Sequence, residues 1–453
     1  SRAFENSQTI YTPAVHPREP YISSREKYVS PFYEREKELG GFFDNEVACW
    51  ERALAYKSNE QKLDKYLKDI PVRENEWDRR HVPYEIANAE HLAMSDSVGM
   101  INLSHFPIMD IKGPDAERML EYLSVAKVGS NTPEGKVIYT NFLDEDGGVH
   151  ADLTISRLGS DSYRIVTGGA DGNRDWVLLR NYRDDNGLNA DINIRTHDIA
   201  TLGLWGPEAQ KALGNFIDPN EINIENFPFV SAKNLTLNLS GGKKIDVWAA
   251  RISYVGESGW EIYLNNNSED GLALYDSLLE VGVVPVGIET YANSRRLEKS
   301  FRLQGADLET EYNALEAAIQ RPLVKEADFH GKAAHLAHRE EDPCAVLCTM
   351  TLDDLNVSGK TRYPVGISPI IDPATGEVPI DSKGRRSYTT GMSYCPSIKK
   401  FVVMGYLPKE IAIQGKSLLI EYFNEDGDGL YPMTVQVVGK GSLYDPTNER
   451  VRA

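Results

Sequence analysis

Residues 147–159 read GGVHADLTISRLG, two glycines followed by a regular alternation of apolar and polar residues. Successive side chains of a β-strand point to opposite faces, so this alternation predicts a half-buried strand that follows a glycine turn. The polar face of that strand carries His150, Asp152, Thr154 and Ser156. Such a face is either simply solvated or lines a functional site, and the rest of the sequence bears on that choice.

The bulk composition describes a large, acidic, globular chain. Its 453 residues are too many for one hydrophobic core, which predicts two to four domains. The 68 Asp and Glu residues exceed the 49 Lys and Arg residues, and the formal charge of −19 argues against nucleic acid or a membrane surface as a partner. A small anionic ligand would need a local concentration of basic residues.

The sequence contains no pattern for export or membrane insertion. No apolar run approaches the roughly 20 residues of a membrane helix, and the segment SRAFENSQTIYT lacks a basic stretch followed by an apolar one. Four cysteines do not make a disulfide framework, and Cys344 and Cys348 lie in PCAVLCTMTL, which is typical of a buried strand. We therefore expect a cytoplasmic protein.

The chain divides into three regions by pattern. Residues 1–85 are rich in charge, Pro and Tyr and predict an extension that packs on a larger body. Residues 86–340 contain two matching segments, DIKGPDAERMLEYL (110–123) and GLWGPEAQKALGNF (203–216), in which a strand ends at Gly and Pro takes the first helical position. This repeat predicts a duplicated α+β body. The short, closely spaced strands of residues 341–453 predict a small C-terminal β-barrel domain.

Three motifs imitate ligand sites and are rejected on their chemistry. NEDGDGLYPMTV (424–435) has calcium-loop spacing but ends in Val435 where a bidentate Glu is required, so it predicts a hairpin. HLAHREE (335–341) lacks a third metal ligand and predicts a solvated helix face. GGADG (168–172) lacks dinucleotide-binding spacing. We therefore expect no metal site and find no flavin, nicotinamide or nucleoside-triphosphate signature.

Three local patterns remain as candidates for function. Asp152 follows a DEDGG turn, and Tyr254 and Glu261 flank a glycine-rich turn in SYVGESGWEIYL. Arg296 lies in RRLEK, just before LQGADL. Each also has an ordinary structural explanation: a surface acid, a solvent-facing strand residue, or an arginine paired along its own helix.

Seven motifs in a fixed order give these residues a context. They are SVGMINLSHFPIMDIKGPDAERML, YTNFLDEDGGVHADLTISRL, GLWGPEAQ, RISYVGESGWEIYL, RLEKSFRLQGADL, KEADFHGKAA and RRSYTTGMSYCPSIKKFVVMGYLP. Over about residues 85–445 this series resembles the aminomethyltransferase family, which comprises the glycine-cleavage T-protein and its relatives. It is most similar to the folate-binding halves of dimethylglycine oxidase, dimethylglycine dehydrogenase and sarcosine dehydrogenase.

The N-terminal region resembles a linker of those same enzymes. SREKYVSPFYEREKELGGFF and ACWERALAY are similar to the segment that follows their flavin domain. No flavin domain precedes this segment in the sequence, so we expect a protein that works as a stand-alone folate-binding unit.

The resemblance implies a cloverleaf of three domains around a central hole that binds tetrahydrofolate. Asp152 matches the family's catalytic Asp, which would take a proton as a folate nitrogen attacks the one-carbon unit. Tyr254 and Glu261 match the pair that contacts the pterin, because a carboxylate can accept two adjacent N–H groups and a Tyr ring can stack on the pterin. Arg296 matches the Arg of the family's RLE motif and would either neutralise Glu261 or hold the anionic folate tail.

Two positions depart from the T-protein pattern. Ala151 replaces the first of two adjacent acids, and His150 stands where an apolar residue is usual. His150 would be a substrate-specific contact or a satisfied surface histidine. His150 and Tyr139 are also candidates to protonate a leaving oxygen. These departures argue against the T-protein itself, which docks a lipoyl carrier protein.

The function predicted from the sequence is tetrahydrofolate-dependent one-carbon transfer. The protein would demethylate a small donor molecule and form 5-methyl- or 5,10-methylene-tetrahydrofolate. Two alternatives stay open: a folate-binding subunit of a flavin-dependent N-methyl amine dehydrogenase, with a flavoprotein partner, and a non-catalytic folate-binding accessory protein. The presence of Asp152 beside the other candidates weighs against the accessory protein, because binding alone needs no such acid.

Overall fold

The computed structural model describes residues 25–43, 47–74, 83–129, 132–357, 359–364, 366–424 and 427–453. The helices are α1 (Tyr33–Glu38), α2 (Asn59–Lys62), α3 (Asp64–Leu67), α4 (Tyr84–Asp96), α5 (Ala116–Leu123), α6 (Gly172–Asp185), α7 (Ala209–Leu213), α8 (Pro219–Ile222), α9 (Ser268–Glu280), α10 (Arg296–Glu298), α11 (Lys332–Glu340) and α12 (Glu449–Arg452). A π-helical turn, Thr290–Arg295, runs directly into α10.

The strands are β1 (Gly99–Asn102), β2 (Ile108–Lys112), β3 (Val137–Leu143), β4 (Val149–Arg157), β5 (Ser162–Thr167), β6 (Asp191–Ile194), β7 (Ile199–Trp205), β8 (Ser231–Asn238), β9 (Lys244–Arg251), β10 (Gly259–Asn265), β11 (Val284–Pro285), β12 (Ala345–Leu352), β13 (Asn356–Val357), β14 (Lys360–Thr361), β15 (Ile370–Ile371), β16 (Thr389–Cys395), β17 (Lys400–Pro408), β18 (Ser417–Asn424) and β19 (Gly427–Val438). Helices packed on largely antiparallel sheets make a mixed α/β fold. Among the helices described, none combines the length and apolarity that crossing a membrane requires.

The strand predicted from GGVHADLTISRLG is β4, inside a five-stranded antiparallel sheet of order β3-β4-β5-β2-β6. Ala151, Leu153 and Ile155 are at most 3% exposed and share a core with residues of α5 and α6. On the opposite face, His150 and Asp152 are half-buried. The predicted half-buried strand is therefore confirmed.

A second sheet of six strands has the order β11-β1-β7-β10-β9-β8 and packs against α7 and α9. The β1–β11 pair is parallel and the other pairs are antiparallel. The two matching sequence segments form β2–α5 in the first sheet and β7–α7 in the second. The repeat found in the sequence thus corresponds to one strand-turn-helix unit in each sheet.

Each of these units turns at a glycine. Gly113 and Gly206 have φ angles of +145° and +137°, and a Cβ at Gly206 would lie 2.2 Å from the carbonyl oxygen of Ser97. The helices begin two residues after the prolines, at Ala116 and Ala209, so the prediction that Pro takes the first helical position is wrong. The prolines lie instead in a tight turn, which the Ala116 N–H closes by donating to the Gly113 carbonyl at 3.0 Å.

The C-terminal strands form one curled antiparallel sheet, a half-barrel of order β15-β18-β19-β12-β17-β16. Its interior shares a core with Trp205 and Tyr291. β18 and β19 pair up to Asn424 and Gly427, so the segment with calcium-loop spacing forms a hairpin whose residues 425–426 lie outside the described residues. In α11, His335 is buried with its ring centroid 5.9 Å from that of Phe329, so the prediction of a solvated face is wrong there.

The described part of the N-terminal region packs on this body, as predicted. Phe32 is fully buried and stacks on Tyr275 of α9, with ring centroids 5.6 Å apart. Glu36 of α1 is buried and accepts hydrogen bonds from the Tyr56 hydroxyl and the Asn102 amide. Residues 1–24 lie outside the described residues. The domain boundaries at 85/86 and 340/341 and the cloverleaf arrangement stay predictions.

Candidate active site

Asp152 lies in a hydrogen-bonded cluster on the polar face of β4. Asn141 stands directly opposite it on β3 and donates a hydrogen bond from Nδ2 to Asp152 Oδ1 at 2.9 Å. Burial, reinforced by the negative charge of Asp171, raises the pKa of Asp152 to about 7, although the side chains of Tyr139 and Asn141 favour the ionised form. The group can therefore take up and release a proton near neutral pH.

Tyr139 extends from this cluster toward solvent. Its side chain is 45% exposed, while burial of the hydroxyl and the nearby Asp152 carboxylate raise its pKa well above the usual value. The phenol therefore stays protonated at neutral pH and can act as a hydrogen-bond donor.

His150 shares the strand face with Asp152 but has different neighbours. Burial lowers the pKa of His150, and the charge of Arg174 lowers it further. Within the described residues, its Nε2 is buried without a hydrogen-bond partner. The lowered pKa favours a neutral imidazole, and among the described residues no hydrogen bond joins it to Asp152.

Tyr254 is held in an aromatic group that packs on the core shared by the second sheet and the half-barrel. Its hydroxyl donates to the Arg302 carbonyl at 2.6 Å, and its ring centroid lies 5.2 Å from Tyr291 and 5.7 Å from Phe301. Burial raises the pKa of Tyr254, and the charges that act on it include those of Asp152 and Arg302. The structure thus brings Tyr254 into the electrostatic neighbourhood of Asp152.

Glu261 is buried on β10 of the second sheet. Glu261 is 5% exposed, and its Oε2 accepts a hydrogen bond from the Tyr263 hydroxyl. Burial raises the pKa of Glu261 to about 7. Within the described residues, no side chain donates to Oε1. Tyr291 connects this acid to the Tyr254 group: its ring contacts that of Tyr254, and burial, reinforced by the charge of Glu261, raises its pKa.

Arg296 is engaged inside the protein. It is 1% exposed, forms an ion pair with Asp307, and donates to the carbonyls of Ala292 at 2.9 Å and Phe301 at 3.2 Å. The carboxylate that neutralises Arg296 is therefore Asp307, not Glu261. The cofactor-binding role predicted for Arg296 stays a prediction.

Three residues of this region were not among the candidates from the sequence: Asn141, Tyr291 and Arg302. Asn141 could not be placed from the turn alone, because the register shifts between Phe142 and Leu143 and an unbroken hairpin would pair Asn141 with Ala151. Tyr291 and Arg302 reach the region through long-range packing, which leaves no local pattern in the sequence.

Two surface depressions lie away from these residues. One, of about 660 Å³, is lined by residues that include Asp110, Trp176 and Ile194. The other, of about 460 Å³, is lined by residues that include Tyr122 and Tyr182. Neither is lined by the candidate residues, so the predicted folate hole is not one of these depressions. In the described ranges, no group of His, Cys, Asp and Glu residues could hold a metal ion.

Comparison with known proteins identifies relatives of the chain. A family model described as the GCVT N-terminal domain matches residues 32–326. The mitochondrial dimethylglycine dehydrogenase of Homo sapiens is 29% identical over 392 residues, which are 83% of this chain and 40% of that protein. An aminomethyltransferase of Symbiobacterium thermophilum is 29% identical over 353 residues, 74% of this chain and 88% of the relative.

Among solved structures, the glycine cleavage system aminomethyltransferase T from Bartonella henselae superimposes with a TM-score of 0.68 at 21% identity. It covers 90% of this chain, and this chain covers 97% of it. That likeness establishes a shared fold. By contrast, the chain spans only about 40% of the length of the human dimethylglycine dehydrogenase that it matches.

Proposed function

The chain belongs to the GCVT aminomethyltransferase family, and from that premise we propose that it is a tetrahydrofolate-dependent one-carbon transferase. The observation that carries the proposal is the carboxyl of Asp152, which has a pKa of about 7 and accepts a hydrogen bond from the Asn141 amide at 2.9 Å. A proton acceptor of this kind is what transfer to a nitrogen nucleophile requires.

The residues at the candidate site are suited to a reduced pterin. Glu261 offers a buried carboxylate with one oxygen engaged by Tyr263, and a pterin edge with two adjacent N–H groups would complete its hydrogen bonding. The rings of Tyr254, Tyr291 and Phe301 provide flat surfaces for a ring system. When bound, tetrahydrofolate supplies the nitrogen nucleophile that accepts the one-carbon unit.

The chain's own residues then handle the proton. Asp152 accepts the proton that leaves the nitrogen, and its pKa near 7 makes both protonation states accessible at neutral pH. Asn141 holds Oδ1 of that carboxyl in place by a 2.9 Å hydrogen bond. Tyr139, whose hydroxyl stays protonated at neutral pH, is the first candidate to donate a proton or hydrogen bond to a leaving group, in which case its single O–H turns away from Asp152. His150 is the second candidate for that donor.

Product analysis tests this proposal. The protein is incubated with tetrahydrofolate and a panel of N-methyl, methoxyaromatic and sulfonium donors, and the folate products are separated by chromatography. We expect 5-methyl-tetrahydrofolate with one class of these methyl donors, because methyl transfer needs no oxidant, and a loss of about 10²–10⁴-fold in turnover for Asp152→Asn. Asp191→Asn, which makes the same change on the exposed strand β6, is the control. Unimpaired turnover of Asp152→Asn would refute the role of Asp152.

A second candidate function is favoured by the alignment with dimethylglycine dehydrogenase. Most of this chain matches 40% of that longer human enzyme, so the chain could serve as the folate-binding part of an N-methyl amine dehydrogenase whose flavoprotein is a separate partner. Co-purification with a flavoprotein, together with capture of formaldehyde in place of direct demethylation, would favour this candidate. Tight folate binding with neither activity would favour an accessory protein.

The cellular location is also a proposal. A cytoplasmic location was predicted from the sequence, whereas the dimethylglycine dehydrogenase relatives are described as mitochondrial. Fractionation of source cells with an antibody against the protein would distinguish the two.

A further inference from the structure

Two arginines close to Asp152 carry charges that no acid neutralises directly. Within the described residues, no carboxylate lies within ion-pair distance of the guanidinium of Arg302 or Arg321. The charge of Asp307 acts on Arg302, but Asp307 already pairs with Arg296. Arg321 interacts electrostatically with Tyr139, and no acid contributes to its pKa.

The guanidinium of Arg302 is rigidly oriented by the main chain. Its Nε donates to the Ala317 carbonyl at 3.0 Å, its Nη2 donates to the Gly439 carbonyl at 3.0 Å, and its Nη1 donates to the Ser300 carbonyl. A guanidinium has five N–H donors, so two remain after these three bonds. Neutral carbonyls fix the group in place without cancelling its charge.

The position of Arg302 is central to the candidate site. Its positive charge lowers the pKa of Asp152 and acts in the same direction on Tyr139 and Tyr254. Arg321 donates from Nη2 to the Tyr139 carbonyl. The charges of Arg302 and Arg321, neither of which has an ion-pair partner among the described residues, therefore both act on Tyr139.

These two guanidinium groups are partly withdrawn from water. Both residues are half-buried, and desolvation lowers the pKa of each guanidinium. Withdrawing a charge from water is costly unless the charge is paired, and among the described residues these groups have carbonyl partners but no carboxylate partner. In a chain with a formal charge of −19, acids are plentiful, so two unpaired arginines at one place indicate a site for an anion that the chain does not itself supply.

We propose that Arg302 and Arg321 form a carboxylate-binding site beside Asp152. A carboxylate matches the planar, two-donor edge of a guanidinium. The inference rests on the proposed function, which offers two sources of that carboxylate: the glutamyl tail of tetrahydrofolate and an amino-acid-type one-carbon donor. Arg296, which the sequence suggested for this task, is occupied by Asp307.

Paired probes with and without the carboxylate test this site. Tetrahydrofolate is compared with tetrahydropteroate, which lacks the glutamyl group, and N,N-dimethylglycine is compared with N,N-dimethylethanolamine. Affinities are measured by calorimetry for the wild type, Arg302→Gln, Arg321→Gln and the control Arg118→Gln. Arg118 is a suitable control because its side chain is 72% exposed.

We expect each site variant to weaken binding of one carboxylate-bearing probe by about tenfold or more. Its carboxylate-free counterpart and the control should change by less than about twofold. If only the affinity for tetrahydrofolate falls, the site holds the glutamyl tail of folate. If only the affinity for dimethylglycine falls, the site holds the carboxylate of the one-carbon donor. Three results would overturn the proposal. The site variants could lose equal affinity for the two members of a pair, or lose no affinity in either pair. The wild type could also bind neither tetrahydrofolate nor dimethylglycine.

Two features of the design keep the outcome interpretable. Arg302→Gln removes three bonds to the main chain, so Arg321→Gln, whose guanidinium has one such bond, decides the result if Arg302→Gln does not fold. Failure of the wild type to bind either folate would refute the proposed function alone. The dimethylglycine pair would then still decide whether the arginines hold a carboxylate.

Discussion

Two neighbours of Asp152 should move its pKa in opposite directions when they are replaced. Asn141→Ala removes the 2.9 Å hydrogen bond to Oδ1, which favours the ionised carboxylate, so the pKa should rise. Asp171→Asn removes a negative charge that raises the pKa, so the pKa should fall. The two substitutions shift the pKa of Asp152 in opposite directions only if Asn141 and Asp171 both act on Asp152 as the structure indicates.

The magnitude of the first shift follows from the energy of the lost bond. A hydrogen bond to a charged group is worth about 1.5–3 kcal/mol, and water entering the space left by Asn141 would restore part of it. A net loss of about 1.4 kcal/mol corresponds to about one pH unit. The pKa of Asp152, about 7 in the wild type, should therefore rise to about 8 in Asn141→Ala. The shift in Asp171→Asn should be smaller, about half a pH unit, because Asp171 is half-buried and screened by Arg174.

Infrared difference titration measures this pKa without an identified donor. The carbonyl band of the protonated Asp152 carboxyl is assigned by its disappearance in Asp152→Asn. Thr154→Ala, on the same strand face opposite Tyr139, is the matched control and should leave the pKa unchanged. Shifts of the same sign in Asn141→Ala and Asp171→Asn, or no shift in the first, would refute the reasoning.

Three further predictions concern binding and stability. Tyr254→Phe keeps the stacked ring and should change tetrahydrofolate affinity by less than about threefold, whereas Tyr254→Ala should weaken it by about tenfold or more in calorimetry. Asp307→Asn leaves Arg296 buried without its partner and should lower the free energy of unfolding by about 3–5 kcal/mol in denaturant titrations. Burial raises the pKa of Glu36 to about 7 and of Glu90 to about 8, above their unfolded values. The stabilisation from their protonated forms is present at low pH and lost as pH rises through those values, by up to about 1.4 kcal/mol per pH unit for each group. Unfolding measured from about pH 5 to about pH 9 should therefore reveal falling stability, and a flat profile would contradict the buried-acid assignment.

The sequence predicts those features whose cause is local. The alternation in β4 is confirmed because a period of two reports directly which side chains are buried. The Gly-Pro turns are confirmed as strand-to-helix connections, but the helices begin two residues later than predicted, because a tight turn precedes them. The short C-terminal strands form a half-barrel, and the sequence could not fix how far that sheet closes, since closure depends on pairing between distant strands.

The candidate site is predictable only in part, for the same reason. Asp152 and Glu261 are indicated by motif, whereas the register shift between Phe142 and Leu143 hides the pairing of Asn141 with Asp152. The pairing of Arg296 with Asp307 and the unpaired state of Arg302 depend on how the segment after α10 folds back on the half-barrel. Neither residue type nor spacing specifies those contacts.

The central claim is that this chain binds tetrahydrofolate through the carboxylate of Glu261. The most direct measurement is calorimetric titration of the wild type and Glu261→Gln with reduced tetrahydrofolate, at about pH 6 and about pH 8. The carboxylate is the form that accepts two N–H groups, and its pKa in the free protein is about 7. We therefore predict micromolar binding by the wild type that weakens at the lower pH, and a loss of about tenfold or more, without that pH dependence, in Glu261→Gln. A wild type that does not bind, or a Glu261→Gln variant that binds equally well, would contradict the claim.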